Sequence, residues 1–423
     1  MVRNDMSTKQ AVILFGNGET ERAGPGRPAS PLSTPLGAEA GFFDETLFGV
    51  ARQGYDDVLL LSDDDGLAQR YDGKTICGAR LRVVRRAGTQ DAVGALRDAR
   101  DLLDPTFLLI AGDLAFDVNF RRLEPVLNRD ESALAALALR PAPEGRRDGA
   151  VDFAQGRILG WREGGGVAAG DAALVSMGVG RLRRDALADL ESGPETGETR
   201  MFARLAADGK LLGEVFDAPS PIVGQDHSPM RSGKKSLRLR PRPALFLDRD
   251  GVLNRDGGYT HRTEDLKWIS GAIEVVRRAN DMGALVIVVT NQAGIAYGYY
   301  AEAEVERFHA AMREELHAAG AFIDAFYHCP HHPDATVERW RHPDPPDRKP
   351  NPGMILRALA EWPIDVSNSF MIGDRESDVE AGARAGLRSL LFIGEDLRVA
   401  AEPAFAAMAD AVARRPLAGP QAE

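Results

Sequence analysis

Short apolar runs alternate with segments of helical periodicity along most of this chain. In the first half, apolar runs predict four β-strands, at residues 11–15, 58–61, 81–84 and 107–111. Two segments, 41–53 and 91–103, carry apolar residues at three- and four-residue spacing, which is typical of amphipathic helices. This alternation predicts an α/β domain with a Rossmann-type sheet of mostly parallel strands.

The second half shows the same alternation more clearly. Its apolar runs predict five strands, at residues 244–247, 285–289, near 326, 370–372 and 390–393. Its periodic segments predict four helices, at residues 273–281, 302–319, 352–362 and 378–385. The order predicts a doubly wound parallel sheet, which binds ligands at the carboxyl edge of its strands. Because three strands lead into Asp248, Thr290 and Asp374, we expect these residues to meet at that edge.

A change of composition divides the two halves. With 423 residues the chain is too long for one ordinary core. Residues 219–243 are rich in Pro, Ser, Gly and basic side chains, which is typical of a solvated linker, although a polybasic segment can also dock on an anionic surface. We therefore predict a domain at 9–224, a linker at 225–242 and a second domain at 243–415.

Composition excludes several classes of function. The net charge of −11 argues against general nucleic-acid binding, which needs a basic surface. The chain has no apolar run approaching the roughly 18 residues that span a bilayer, and the apolar run at its start is too short for a signal-peptide core. Cys77 and Cys329 are the two cysteines, so we expect no disulfide framework and a reducing compartment, the cytoplasm.

The most informative motif is Asp248-Arg249-Asp250-Gly251, directly after an apolar run. Residues two apart on an extended segment point the same way, so the carboxylates of Asp248 and Asp250 should lie side by side. A carboxylate in such a site suits phosphoryl transfer through an aspartyl intermediate. Aspartate also favours helix caps and turns, and that alternative is strongest for Asp378.

Taken together, four motifs resemble the haloacid-dehalogenase superfamily, over about residues 242–400. They are Asp248 with Asp250, Thr290, Lys349, and Asp374 with Asp378. The resemblance implies a phosphatase in which Asp248 attacks phosphorus and Asp250 acts as general acid and base. It implies Mg²⁺ bound by Asp248, the carbonyl of Asp250 and Asp374. Thr290 and Asn291 would bind the phosphate, Lys349 would add positive charge and Asp378 would orient the metal ligands.

Within this superfamily, shorter motifs resemble the D,D-heptose 1,7-bisphosphate phosphatases and the related histidinol-phosphate phosphatases. These motifs lie at residues 247–251, 290–292, 329–332 and 348–350, and the segments 258–259 and 292–296 favour the heptose branch. The implied reaction removes the phosphate at carbon 7 of a heptose bisphosphate, on the route to an activated heptose for surface polysaccharide such as lipopolysaccharide. The implied substrate-binding residues also include Asp256, Tyr259, Gln292, Arg348 and Arg375, with the two arginines as candidates for the second phosphate.

One departure concerns zinc. The family closes a loop with zinc through a cysteine and a histidine, as in Cys329 and His331, plus two cysteines just before Arg-Lys-Pro. Here that stretch, residues 342–347, contains no cysteine. Structural zinc requires four ligands, so we expect zinc to be lost and Cys329 and His331 to be remnants, unless His342, Asp344 or Asp347 substitutes.

The first half, about residues 11–224, resembles the sugar-phosphate nucleotidylyltransferases through residues 107–113 and 116–119. Where that family has an arginine and a lysine for phosphates, this chain has Glu21 and Ser30. Asp113 keeps the first metal position, whereas Ile222 occupies the second. We therefore expect a non-catalytic first domain, while Arg22 and Arg27 could restore phosphate contacts in another alignment.

Three functions remain open at this point. The first is a sugar-phosphate phosphatase with an inactive nucleotidyltransferase-like domain. The second is a bifunctional phosphatase and heptose 1-phosphate nucleotidylyltransferase. The third is a heptose, histidinol or other sugar-phosphate phosphatase whose first domain senses a ligand. We favour the first because both phosphate-binding residues of the first domain are replaced.

Overall fold

The chain divides into two compact units. The computed structural model describes residues 9–15, 40–62, 65–76, 78–85, 92–112, 118–142, 150–161, 173–190, 198–216 and 241–413. The described residues up to 216 belong to the first unit, and residues 241–413 belong to the second. Most of the predicted linker therefore lies outside the described residues. Among the described residues, the structure contains no helix that is long and apolar enough to cross a membrane.

The described part of the first unit contains ten strands and five α-helices. The strands are β1 (Gln10–Leu14), β2 (Asp57–Ser62), β3 (Thr75–Ile76), β4 (Ala79–Arg85), β5 (Thr106–Ala111), β6 (Ala135–Pro141), β7 (Ala150–Ala154), β8 (Arg157–Trp161), β9 (Leu174–Arg183) and β10 (Leu211–Val215). The helices are α1 (Ala40–Ala51), α2 (Asp65–Tyr71), α3 (Ala92–Asp98), α4 (Leu123–Asn128) and α5 (Glu198–Ala207). All four strands predicted here are present.

These ten strands form one sheet in the order β3-β4-β2-β1-β5-β9-β6-β10-β8-β7. Strands β4, β2, β1 and β5 pair in parallel, as predicted. The rest of the sheet is mixed, because β9 runs antiparallel to β5, β6 and β7. The prediction of mostly parallel strands is wrong for that part of the sheet, where β8 and β9 each run antiparallel to their neighbours, an arrangement that needs no helical crossover.

The second unit contains five strands and six α-helices between residues 241 and 413. The strands are β11 (Ala244–Leu247), β12 (Leu285–Asn291), β13 (Ala325–Cys329), β14 (Phe370–Gly373) and β15 (Arg388–Leu391). The helices are α6 (Ala272–Asp281), α7 (Ala293–Ala296), α8 (Glu302–Ala318), α9 (Gly353–Glu361), α10 (Glu376–Arg384) and α11 (Leu397–Ala413). The pattern had not predicted α7 or α11, and Pro403 lies inside α11.

The strands of the second unit form a parallel sheet in the order β13-β12-β11-β14-β15, and its doubly wound architecture was predicted. Every residue of β11 is completely buried, which explains its uninterrupted apolar run. Strand β11 lies between β12 and β14, so the residue after it emerges at the centre of the carboxyl edge. That residue is Asp248.

The core of the first unit contains a buried cluster of charged side chains. Glu124 Oε2 lies 2.9 Å from Arg121 NH1 and 2.7 Å from Arg181 NH1, and the three side chains are at most 3% exposed. The Arg121 guanidinium also lies over the ring of Tyr55, 4.0 Å from its centroid. Because one carboxylate faces two guanidinium groups, its removal takes a buried negative charge away from both of them.

We predict that Glu124→Ala destabilises the first unit by about 3–5 kcal/mol. Hydrogen exchange of peptides from β5 and β9 in the full chain should accelerate about 100-fold or more, because opening of this core becomes easier. Glu131→Ala, at an exposed position of the same unit, is the matched control and should leave exchange unchanged. Equal exchange rates in the two variants would contradict the prediction.

Candidate active site

Asp248 is fixed at the centre of the carboxyl edge. Its backbone N–H donates to the carbonyl of Ile372 on β14 at 3.0 Å. Its side-chain Oδ1 accepts from the backbone N–H of Arg249 at 2.8 Å and lies 2.7 Å from Lys349 Nζ. Within residues 241–413 no donor contacts Oδ2, so this oxygen is available to a ligand.

Lys349 joins several elements of the site. Its Nζ lies 2.6 Å from Asp378 Oδ1 and donates to the carbonyl of Val289 at 2.8 Å, in addition to its contact with Asp248. The side chain of Asn291 holds the backbone of Lys349 in both directions, accepting from its N–H and donating to its carbonyl at 3.1 Å each. The side chain of Asn291 therefore positions the lysine.

Burial and charge shift the pKa values of these groups. Burial raises the pKa of Asp248, Lys349 opposes this shift, and the charge of Asp378 adds to it. Burial lowers the pKa of Lys349, but the carboxylates of Asp248 and Asp378 outweigh it, so that pKa lies above its ordinary value. Lys349 is consequently a permanent positive charge at the site.

Asp250 is anchored by side chains on several sides. Arg249 donates to its carboxylate through Nε and NH2, at 2.7 to 3.1 Å. Asn254 Nδ2 donates to Oδ1 at 3.0 Å and Gln292 Nε2 donates to Oδ2 at 2.9 Å. Arg249 is itself fully buried, stacked over the ring of Phe308 at 4.7 Å. The orientation of the Asp250 carboxylate is thus fixed before any ligand binds.

Thr290 and Gln292 belong to a hydrogen-bonded chain that ends at Tyr300. Gln292 Nε2 donates to Thr290 Oγ1 at 2.9 Å as well as to Asp250. The hydroxyl of Tyr300 donates to Gln292 Oε1 at 2.8 Å, which fixes the orientation of the amide. Burial raises the pKa of Tyr300 to about 12, so it remains a donor.

Three carboxylates at this edge form a group that could hold a metal. One oxygen from each of Asp248, Asp374 and Asp378 lies within 4.8 Å of the others. Oδ1 of Asp374 is buried and has no hydrogen-bond partner among the described residues. A Cβ at Gly251, where φ is +89°, would lie 2.3 Å from Asp374 Oδ2, so glycine is needed for this close approach.

The chemistry of this group fits Mg²⁺. Burial raises the pKa of Asp374, and the neighbouring charge of Asp378 adds to the shift. A hard divalent cation would relieve this repulsion and provide a partner for the unpaired oxygen. The structure thus brings together Asp248 and Asp374, as the sequence suggested, and adds Asp378 to the same group.

The remaining predicted substrate residues include Arg348, which directly precedes Lys349, and Arg375, which directly follows Asp374. Arg375 NH2 is 3.3 Å from Asp256 Oδ2, and the arginine side chain is 67% exposed. Arg348 donates to the carbonyl of His331 at 3.4 Å, and burial lowers its pKa. Tyr259 has a positive φ of 57° and packs edge-on against Tyr299 at 4.9 Å. These side chains supply positive charge and an exposed ring.

Within the described part of the chain, Cys329 and His331 lie outside the groups of side chains that could hold a metal. Cys329 is buried, its thiol donates to the carbonyl of His331 at 3.9 Å, and burial raises its pKa. The ring of His331 packs edge-on against Trp340 at 5.2 Å. Two groups within the described part of the chain could hold a metal, and neither contains these two residues.

Sequence reasoning missed three residues that hold the site together, Arg249, Asn254 and Tyr300. Of these, only Arg249 could have been identified from the sequence, because it lies between the two aspartates. The first-domain positions that were compared with the nucleotidylyltransferases, Glu21, Ser30, Asp113 and Ile222, lie outside the described residues, as do Arg22, Arg27 and Cys77.

Comparison with known proteins identifies the family. The family model described as HAD-hydrolase-like matches residues 347–415. Over 162 residues the chain is 44% identical to the D-glycero-beta-D-manno-heptose-1,7-bisphosphate 7-phosphatase of Rhodopseudomonas palustris, covering 37% of this chain and 87% of that protein. The chain belongs to the HAD-like hydrolase family. Its second unit is a phosphoric monoester hydrolase, which confirms the resemblance seen in the motifs.

Solved structures include neighbours of both halves. The D,D-heptose 1,7-bisphosphate phosphatase of B. bronchiseptica, complexed with magnesium and phosphate, is 28% identical and covers 37% of this chain and 84% of that chain, with a TM-score of 0.33. The UDP-glucose pyrophosphorylase of Acinetobacter baumannii is 16% identical and covers 50% of this chain and 86% of that chain, with a TM-score of 0.41.

We predict that Asp374→Asn weakens Mg²⁺ binding by more than about tenfold, because the hard cation loses an anionic ligand. The measurement is the thermal unfolding temperature of the second unit in the full chain, titrated with Mg²⁺, which rises as the cation binds the folded state. Glu395→Gln, at an exposed position of the same unit, is the control. Superimposable titration curves for the two variants would refute the assignment.

Proposed function

We propose that the second unit hydrolyses a sugar phosphate through a phosphoaspartyl intermediate on Asp248. The observation that carries this proposal is the Asp248 carboxylate at the carboxyl edge, with Oδ1 held by Lys349 and Oδ2 unengaged within residues 241–413. Oδ2 attacks phosphorus, and the bond between phosphorus and the sugar oxygen breaks. Water then attacks the same phosphorus, which releases inorganic phosphate and restores the carboxylate.

Asp250 moves the protons in this scheme. It gives a proton to the departing sugar oxygen and later takes one from the attacking water. Its anchoring by Arg249, Asn254 and Gln292 supports this role, because general acid–base catalysis requires a positioned group. Asp250 also contributes its backbone carbonyl to the metal ligands in this proposal.

Thr290 and Lys349 stabilise the transferring phosphoryl group. The Thr290 hydroxyl and the Lys349 ammonium face the same edge as Asp248 and supply a donor and a positive charge. Bound Mg²⁺ would supply Lewis-acid charge neutralisation, held by Asp248, Asp250 and Asp374, with Asp378 adjoining them. Asn291 acts through Lys349, whose backbone it holds.

The proposed substrate is D-glycero-D-manno-heptose 1,7-bisphosphate, which loses its carbon-7 phosphate. The 44% identity to a phosphatase named for this substrate supports the choice. Arg348 and Arg375 would bind the second phosphate, since guanidinium groups suit bidentate phosphate contacts. Asp256 and Tyr259, beside them, would contact the sugar.

We predict that Asp248→Asn abolishes Mg²⁺-dependent phosphate release while thermal unfolding stays cooperative, because the amide is a poor nucleophile of similar size. Phosphate release by the unchanged chain should be fastest with the heptose 1,7-bisphosphate in a panel that includes both anomers, heptose 7-phosphate, other sugar phosphates and histidinol phosphate. Retained release by Asp248→Asn would overturn the mechanism. Faster turnover of histidinol phosphate would contradict the proposed substrate but not the proposed mechanism.

For the first unit we propose a non-catalytic nucleotidyltransferase-like domain at residues 9–224, with a linker at 225–242 and the phosphatase at 243–415. The replacement of two phosphate-binding residues by Glu21 and Ser30 supports it, because acidic groups repel a triphosphate.

We accordingly predict that the full chain forms no sugar nucleotide from heptose 1-phosphate with ATP or GTP, since the first unit lacks the charges that hold a triphosphate. Product analysis by chromatography measures this, with a nucleotidylyltransferase of known activity as positive control. Turnover would establish the bifunctional alternative. A nucleotide or sugar nucleotide that binds in calorimetry and changes the phosphatase rate without being consumed would establish the sensing alternative.

A further inference from the structure

A second group of metal-ligating side chains lies between α8 and β13, outside the site described above. It consists of Glu306 and His309 on the helix and His328 on the strand. One ligand atom from each of the three lies within 4.8 Å of the others. Glu306 and His309 are three residues apart, which places both on one face of the helix. The group combines two imidazoles with one carboxylate.

His309 provides a second, independent observation. Its side chain is fully buried, and its Nδ1 has no hydrogen-bond partner within the described part of the chain. An unpaired polar atom of this kind is costly in a protein interior. Burial lowers the pKa of His309 to about 2, so the ring is neutral, the form that binds metals.

His328 has a carboxylate near each ring nitrogen. Its Nδ1 lies 3.9 Å from Glu306 Oε1, and its Nε2 lies 3.5 Å from Glu302 Oε1. In known metal sites a ligating histidine usually donates its other N–H to a carboxylate, which fixes the tautomer and the ring orientation. Glu302 is placed for this role, with Nδ1 of His328 left to face the metal.

We propose that Glu306, His309 and His328 form a binding site for Zn²⁺ or a chemically similar divalent transition metal. Imidazole and carboxylate ligands suit this class of ion, whereas Mg²⁺ prefers a set made only of oxygens. Ligand atoms around tetrahedral zinc lie roughly 3.4 Å apart, given bond lengths of about 2.1 Å. The side chain of Glu306 is 60% exposed, so surrounding atoms leave it room to rotate.

Charges of both signs surround this group. Glu302 and Glu306 carry two negative charges, whereas Arg249 and Arg313 carry positive charges that add to the effect of burial in lowering the pKa of His309. Arg249 NH1 lies 3.5 Å from His309 Nε2, so a metal bound at Nδ1 would place the Nε2 proton against a guanidinium N–H, and the His309 ring or the Arg249 side chain must shift for the ion to bind.

The proposed ion would be reached from an open cleft of about 360 Å³. The cleft is lined by Glu302, Glu306 and His328 together with His331 and Trp340. Three protein ligands leave a fourth position for water or a small ligand, the arrangement of zinc sites with an open coordination position. This position would face the cleft.

The test uses the full chain in excess Mg²⁺ with Co²⁺ as a spectroscopic probe. We expect one equivalent of Co²⁺ to give visible d–d bands without a near-ultraviolet thiolate band, and Zn²⁺ to displace it. Glu306→Gln should lower the affinity by more than about 100-fold and Glu302→Gln by about 10- to 100-fold. Both substitutions lie on the accessible side of α8, so the fold should tolerate them.

Matched controls separate this site from the others. Glu314→Gln, exposed on the same helix, should bind Co²⁺ like the unchanged chain. A thiolate band that disappears in Cys329→Ser would place the ion at Cys329 and overturn the proposal. Absence of d–d bands, or affinity unaffected by Glu306→Gln, would overturn it as well.

Discussion

The ammonium group of Lys349 is the contact on which the geometry of the active-site edge depends. It lies 2.7 Å from Asp248, 2.6 Å from Asp378 and 2.8 Å from the carbonyl of Val289. These partners follow β11, begin α10 and belong to β12, so one side chain ties together three elements. Without it, the clustered carboxylates would repel one another in a poorly solvated place. Lys349 therefore allows the acids to be assembled before a metal or substrate arrives.

The fold could be predicted to the extent that its strands are buried on both faces. Strand β11 is a continuous apolar run that ends at a charged residue, and both its ends were predicted because burial leaves no alternative composition. Whether neighbouring strands pair in parallel or antiparallel could not be predicted from burial in the same way. Strand β9 alternates buried and half-buried residues along much of its length, a pattern typical of antiparallel pairing, and it was not identified. Helix α11, which contains Pro403 and continues through it, was not predicted.

The candidate site was predictable where chemistry and strand ends coincide. Asp248, Thr290 and Asp374 follow from that rule alone. The contacts made by Asn291 and Gln292 did not, because their partners are distant in sequence: Asn291 holds Lys349 from 58 positions away and Gln292 holds Asp250 from 42. Spacing along the chain carries no information about such contacts. Resemblance to a family supplied Lys349, which no periodicity would single out.

The second unit contains two metal-ligating groups whose ligands differ in kind. Asp248, Asp374 and Asp378 offer oxygen alone, whereas Glu306, His309 and His328 offer two imidazoles. Arg249 lies between them, since it donates to Asp250 and faces His309. Because imidazole favours zinc-like ions and carboxylate favours magnesium, ligand chemistry would direct different ions to the two groups. The Arg249 guanidinium, held by Phe308 and Asp250, therefore places one positive charge beside both groups.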